Sequence, residues 1–184
     1  RYIGGLSQFK KIDNPIKLSA NESALGPSPK AIRAFELNKD KIFSYPESDS
    51  DSLRQVISKK FHIAYERIIC GAGSDQIFDL VCKSFLEPGD EVVVTEFGFI
   101  MHRIYASLNG AKVLLAREDN YKASIDEILN KVTEKTKIVF IANPNNPTGT
   151  YLKKNEMLNL RKKLKSNILL VVDDAYFEFM NNDD

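Results

Sequence analysis

Three stretches of this sequence carry residue types and spacings able to do chemistry. The first is Asn143 to Gly149, N-P-N-N-P-T-G. Its two prolines lie within four residues and stop any strand ladder, because each lacks an N–H and biases its predecessor toward extended geometry. The Asn146 amide is therefore presented from a stiff loop. The second is Asp173-Asp174-Ala175-Tyr176, a carboxylate followed three residues on by an aromatic hydroxyl, which reads as one end of a ligand site. The third is Gly71-Ala72-Gly73-Ser74-Asp75. Glycines let a backbone approach a ligand closely, and the free N–H groups and positive dipole of a helix start favour an anion. Taken alone, this third segment is also a tight turn with an N-cap. It is not a dinucleotide fingerprint, because no glycine follows G-x-G three residues on, and it lacks the Gly-Lys-Ser/Thr of a Walker A loop.

Each stretch needs an element to hold it in place. Lys137–Ala142 (K-I-V-F-I-A) and Ile168–Val172 (I-L-L-V-V) are short apolar runs rich in β-branched residues, which predict strands buried on both faces of a parallel sheet. Loops at the carboxyl ends of such strands are where open α/β sheets bind ligands. Arg67–Cys70, Glu91–Thr95 and Ala111–Ala116 are expected as further strands. Helices are expected over Lys30–Asn38 (Ser28 as N-cap, Pro29 first), up to Phe61, over Gln76–Phe85, from Glu96 to Asn109, from the capping box Ser124–Glu127 to about Val132, and over Lys153–Leu164. Strands thus alternate with helices at least four times, which predicts a parallel or mixed sheet covered on both faces.

Composition narrows the class. The 184 residues are 43% hydrophobic and 28% charged with a formal net charge of +1, so there is no electrostatic case for nucleic acid or a membrane surface. Apolar runs of about five residues fall far short of the roughly 20 a membrane span needs. Arg1–Gly5 shows no apolar signal region, and a cytoplasmic location is expected. Cys70, placed in a strand, and Cys82, on an apolar helix face, read as small buried hydrophobes rather than a disulfide or a metal site. His102 reads as a partly exposed helix residue, and no metal is expected.

The order and spacing of N-P-N-N-P-T-G and D-D-A-Y resemble the fold-type I aminotransferases that use pyridoxal 5′-phosphate, in which N-P-x-N-P-T-G is followed by D-E-A-Y. The arm S-A-N-E-S-A-L-G-P-S-P (Ser19–Pro29) resembles the histidinol-phosphate aminotransferase branch of that family. By composition alone this arm is a polar loop; the resemblance puts Asn21 near the substrate. It implies a three-layer α/β/α large domain with a mixed, mostly parallel sheet, residues 1–45 being an arm and short helix and residues 46–184 part of the cofactor-binding domain. It also implies a cofactor site of Gly73, Ser74, Asp75, Phe99, Asn146, Asp173 and Tyr176. Asp173 would face the pyridine nitrogen, Asn146 and Tyr176 the ring 3′-oxygen, Phe99 the ring face, and the backbone of Ser74 and Asp75 the phosphate. Tyr45 of Tyr45-Pro46, otherwise a tyrosine packed under a turn, would reach the phosphate of the neighbouring subunit in a homodimer.

The implied reaction converts L-histidinol phosphate and 2-oxoglutarate to imidazole acetol phosphate and L-glutamate. Relatives acting on aromatic amino acids, or decarboxylating threonine phosphate, share the motifs. Two other classes are compatible with the pattern: a nucleotide-binding oxidoreductase domain, which the glycine pattern disfavours, and a non-catalytic effector module of the same fold. The family's Schiff-base lysine has no counterpart here. Lys162, Lys163 and Lys165 precede Asp173 on a solvated helix, so that lysine and the small domain are expected beyond Asp184, and the chain alone is expected to be inactive. Gln76, Asp174 and Phe99 depart from the family pattern.

Overall fold

A computed structural model describes residue 18 and residues 20–180. The arm expected from Pro15 to Ser19, apart from Leu18, and the polar Asn181–Asp184 lie outside the described residues. By its internal contacts the chain forms two units, Arg1–Leu53 and Arg54–Asp184.

In the first unit, helix α1 spans Pro29–Asn38. It starts as its sequence dictates: proline sits at the first position, and the Ser28 hydroxyl accepts a hydrogen bond from Lys30 N at 3.2 Å. None of its residues is buried. Helix α2 (Asp51–Phe61) starts in this unit and continues into the second, and it is capped from outside: both oxygens of Glu47 are used by Ser52, whose amide lies at 2.8 Å and hydroxyl at 2.5 Å.

The second unit carries the sheet. Its elements are α3 (Gly73–Phe85), β1 (Glu91–Thr95), α4 (Ile100–Leu108), β2 (Lys112–Ala116), β3 (Glu118–Asp119), β4 (Lys122–Ala123), α5 (Ile125–Lys131), β5 (Thr136–Ala142), α6 (Lys154–Lys163) and β6 (Leu169–Asp173). Four strands form one parallel sheet in the order β2-β1-β5-β6, and β3 and β4 form a separate antiparallel hairpin. Every residue of β1 is buried, and β5 is buried except at Lys137. The two-residue period of a strand explains why both runs are apolar throughout. Val92, Val94, Ile138 and Phe140 point to a core shared with Phe78 and Cys82 of α3 and Ala106 of α4. Val93, Val139 and Ile141 point the other way, to Ile128 of α5 and Leu160 of α6. The result is a three-layer α/β/α arrangement.

Several expectations need correction. Arg67–Cys70 is not a strand: Tyr65–Arg67 is a 3-10 turn and the residues after it make no ladder. Its apolar sequence is strand-like, but a strand needs a partner, and none of the described strands runs beside it. Cys70 is accordingly only half-buried, whereas Cys82 is fully buried and its thiol is pushed up to about 11, first by burial and then by the charge of Asp79. β6 is half-buried along its length, because it is an edge of the described sheet. The β3–β4 hairpin escaped sequence analysis because its turn residues, Asn120 and Tyr121 at φ 48° and 63°, are not the usual Asn-Gly. Among the described residues, no helix is long and apolar enough to cross a membrane, and no group of His, Cys, Asp or Glu is arranged to hold a metal.

One buried carboxylate anchors the amino end of the sheet. Glu91 accepts a hydrogen bond from the Thr133 hydroxyl at 2.5 Å and pairs with Lys112 at 3.3 Å. Hydrogen bonding from Thr133 holds its pKa below the usual glutamate range against the opposing push of burial, with Lys112 assisting. A depressed carboxylate stabilises the fold above its unfolded-state pKa of about 4.3, and that contribution is lost as the pH falls below it. Glu91→Gln is therefore expected to flatten the acid limb of a stability profile measured by urea unfolding from pH 7 to 3. An unchanged acid limb would show that Glu91 is not a source of the acid sensitivity.

Candidate functional site

Three strand ends and one helix start converge at the carboxyl edge of the sheet, where the chain leaves β1 for β2 on one side and returns past it to β5 on the other. A cavity of about 280 Å³ lies there, lined by Ala72, Gly73, Ser74, Asp75, Phe99, Ala142, Pro144, Asn146, Asp173, Ala175 and Tyr176. It contains all seven residues that the motifs singled out in this unit. Asn21 and Tyr45 belong to the first unit, where Asn21 takes a left-handed φ of 53° and Tyr45 is fully exposed.

The helix start begins earlier than expected. α3 opens at Gly73, so Gly73, Ser74 and Asp75 form its first turn rather than a preceding loop. The first four N–H groups of a helix have no acceptor within it. Here the Gln76 side chain turns back to accept Ala72 N–H at 2.6 Å, and Gly73 N–H is closed on Gly71 O at 2.9 Å. Ser74 and Asp75 then present their amides at the positive end of the helix, in the cavity wall. Gly73 sits at φ 72°, a conformation that strains any side chain.

The loop after β5 is built by its asparagines. Asn143 is buried and imitates a strand: its Oδ1 accepts Leu152 N–H at 2.7 Å and its Nδ2 donates to Leu152 O at 3.1 Å. Its own amide donates to Asp173 O at 2.9 Å, which continues the β5–β6 ladder. Both Asn–Pro bonds of the loop are cis. Asn145 is also buried, and its side chain donates to Phe97 O at 3.2 Å and Thr148 Oγ1 at 2.8 Å. Asn146 follows on the cavity wall.

Asp173 closes β6, and its side chain is 8% exposed. One oxygen accepts the Ala175 amide at 3.3 Å; the other lies 3.2 Å from His102 Nε2. An ionised carboxylate only accepts, so Nε2 carries the proton of this bond. The expectation for His102 was wrong. It is 1% exposed, stacked on Phe140 at 5.0 Å and edge-on to Phe78 at 4.6 Å, with the Phe99 ring at 5.7 Å. Helical spacing from Phe99 to His102 put both on one face, but only the fold shows that this face meets Asp173. Beside it, the Asp174 carboxyl is pushed up, by burial first and then by the charge of Asp173. His102→Phe would keep the ring packing and strand the Asp173 oxygen. Unfolding in urea is expected to show a loss of about 1–3 kcal/mol; wild-type stability would mean that Asp173 has found another donor.

The arrangement pairs a shielded anion with a helix N-terminus in one cavity, with an aromatic face and amide and phenol groups between them in the lining. It suits a flat ligand carrying a cationic centre and an anionic tail. Among the described lining residues there is no lysine.

Comparison with known proteins gives the same family that the motifs suggested. The chain is 57% identical over 183 residues to a histidinol-phosphate aminotransferase of Pelagibacter ubique, matching 100% of this chain and 51% of that protein. It is 45% identical to the histidinol-phosphate aminotransferase of Paramagnetospirillum magneticum, covering 50% of it. The chain thus spans about half the length of the curated relatives it matches. The fold is shared with the histidinol-phosphate aminotransferase of Sinorhizobium meliloti solved with pyridoxal-5′-phosphate, at TM-score 0.85 and 24% identity over 89% of this chain and 45% of that one. A putative histidinol-phosphate aminotransferase of Erwinia carotovora aligns at TM-score 0.81 with 27% identity, over 88% of this chain and 48% of that one. The model of aminotransferase class I and II matches residues 13–184, and the chain belongs to that family.

Proposed function

We propose that this chain is the cofactor-holding part of a pyridoxal 5′-phosphate-dependent histidinol-phosphate aminotransferase. It would exchange an amino group between L-histidinol phosphate and 2-oxoglutarate, giving imidazole acetol phosphate and L-glutamate. The observation that carries this reading is the shielded Asp173 carboxylate on a cavity that also receives the start of α3. When bound, the cofactor supplies an electron sink for charge developing at the substrate's α carbon. Asp173 holds the proton on the ring nitrogen by opposite-charge stabilisation. His102 keeps that carboxylate oriented, Asn146 and Tyr176 hydrogen-bond the ring 3′-oxygen, and Phe99 covers a ring face. The amides of Ser74 and Asp75 would hold the phosphate, with the Asp75 carboxylate, repulsive to it, taking no part. The histidinol-phosphate preference rests on the sequence relatives and the arm around Asn21. We place the enzyme in the cytoplasm on composition alone.

We further propose a homodimer in which Tyr45 reaches the partner's phosphate; its full exposure leaves the ring available for that contact. The test uses the full-length protein. It is expected to bind pyridoxal 5′-phosphate and to turn over L-histidinol phosphate faster than any aromatic amino acid, whereas the 184-residue chain alone should transaminate nothing. Tyr45→Phe is expected to weaken cofactor binding by about 1.5–3 kcal/mol. Mixing a Tyr45 variant with an Asp173 variant should restore about one working site per mixed dimer, since the defects fall in different pockets. No activity above either parent would refute the cross-subunit role, and faster turnover of an aromatic substrate would refute the substrate assignment.

A further inference from the structure

Two side chains that the cofactor reading leaves without a role, Glu118 and Asn145, hold the backbone of one residue. Phe97 N–H donates to Glu118 Oε1 at 3.1 Å, and Phe97 C=O accepts from Asn145 Nδ2 at 3.2 Å. Phe97 stands in the turn that leads from β1 to Phe99. Its own ring is 44% exposed and touches only the turn residue Tyr121 among the described aromatic rings, so the side chain does little to anchor the turn. The backbone does. Gly98 N–H closes on Thr95 O at 3.1 Å, and a Cβ at Gly98 would come within 2.5 Å of Thr95 Oγ1, so the turn is already tight before either residue grips it.

We propose that Glu118 and Asn145 are positioning residues that clamp the Phe97 backbone from its N–H and C=O sides, fixing the turn that carries Phe99 and tying it to the loop that carries Asn146. This rests on the cofactor reading above for its consequence, but not for its geometry. Asn145 is the node. Its amide donates to Thr150 O and its carbonyl accepts Gly149 N–H, both at 2.8 Å, so its backbone closes the Asn146 loop while its side chain holds the aromatic turn. Glu118 reaches the turn from the β3–β4 hairpin, and Thr150 Oγ1 donates to Tyr121 O in that hairpin at 2.6 Å, so hairpin, turn and loop form one closed ring of contacts.

Both clamp residues bury polar atoms that packing alone would not choose. Asn145 Oδ1 is buried without a hydrogen-bond partner, and burial pushes the Glu118 carboxyl up although the Thr95 hydroxyl and Phe97 N–H bond to it. Buried polar atoms are rarely left so, and an apolar residue at either position would avoid the penalty. These buried polar groups fall on the two residues that grip the Phe97 backbone. What an apolar replacement could not supply is that grip.

The test is made in the full-length protein with Glu118→Ala, Asn145→Ala and the isosteric Glu118→Gln, which retains an acceptor for Phe97 N–H. In the apoprotein, exchange of the Phe97 amide is expected to quicken by about tenfold or more in both alanine variants. With pyridoxal 5′-phosphate added, the visible circular dichroism per bound cofactor is expected to fall and the dissociation constant to rise about tenfold, with kcat lowered more than KM is raised. Glu118→Gln is expected to restore all of these toward wild type. Wild-type dichroism and affinity in either alanine variant would overturn the proposal, as would a Glu118→Gln as impaired as Glu118→Ala. If only one alanine variant folds, its Phe97 exchange, dichroism and affinity are sufficient to support or overturn the clamp, because both residues hold the backbone of the same residue. Unfolding of both would overturn the proposal in favour of a purely structural role. A wild-type protein that bound no cofactor would instead defeat the functional reading, while Phe97 exchange would still judge the clamp.

Discussion

Replacing Asp173 by alanine in the full-length protein is expected to lower kcat/KM by about 10–10³-fold. An opposite charge beside a titrating group shifts its pKa by about 1–3 units, and each unit is a factor of ten between the two protonation states. Removing the carboxylate therefore removes the proton from the ring nitrogen at neutral pH. Asp173→Asn separates charge from shape: it keeps an acceptor for the Ala175 amide at 3.3 Å but carries no charge, and it should lose nearly as much activity as alanine. Steady-state kinetics with L-histidinol phosphate decide the matter. Near-normal turnover in either variant would sink the cofactor assignment.

The largest effect on stability is expected at Asn143. Its side chain satisfies both the N–H and the C=O of Leu152, at 2.7 and 3.1 Å, inside the protein. Alanine there leaves both groups buried without partners, at about 1–3 kcal/mol each, so urea unfolding should show a loss of about 2–6 kcal/mol. Asn143→Asp is not a rescue, since it retains the acceptor but faces Leu152 O with a second one. A loss under about 0.5 kcal/mol for alanine, the range of an ordinary surface substitution, would mean that Leu152 finds other partners without the asparagine.

What was legible in the sequence was what local chemistry decides. Ser28-Pro29 announced a helix start, and the apolar run before Asn143 announced a strand covered on both faces, because neither signal depends on distant chain. The seven cavity residues of the second unit were readable because motif spacing places them at strand ends and a helix start. What was not legible depends on partners far away in sequence. His102 read as a partly exposed helix residue until the fold brought its side chain to Asp173 at the end of β6, a bond that crosses 71 positions. Arg67–Cys70 has the composition of a strand and no described neighbour to pair with. Glu118 and Asn145 have their meaning only through the backbone of Phe97, to which no side-chain pattern points.

The strand order β2-β1-β5-β6 also has a consequence for the time course of folding. β5 docks beside β1, Glu91 opposite Thr136, only after the chain has made its excursion through β2 and the hairpin. Non-local parallel pairings of this kind form slowly, since loop closure precedes any reward from contact. The cavity walls come from residues 72–75, Phe99, the loop after β5 and the end of β6, so the full lining is assembled only once β6 is in place. A cofactor that needs all four walls cannot template the chain; it can only trap the finished state, by about 2.7 kcal/mol at a hundred times its dissociation constant. Cofactor supply would then govern how much newly made protein survives, not how quickly it folds.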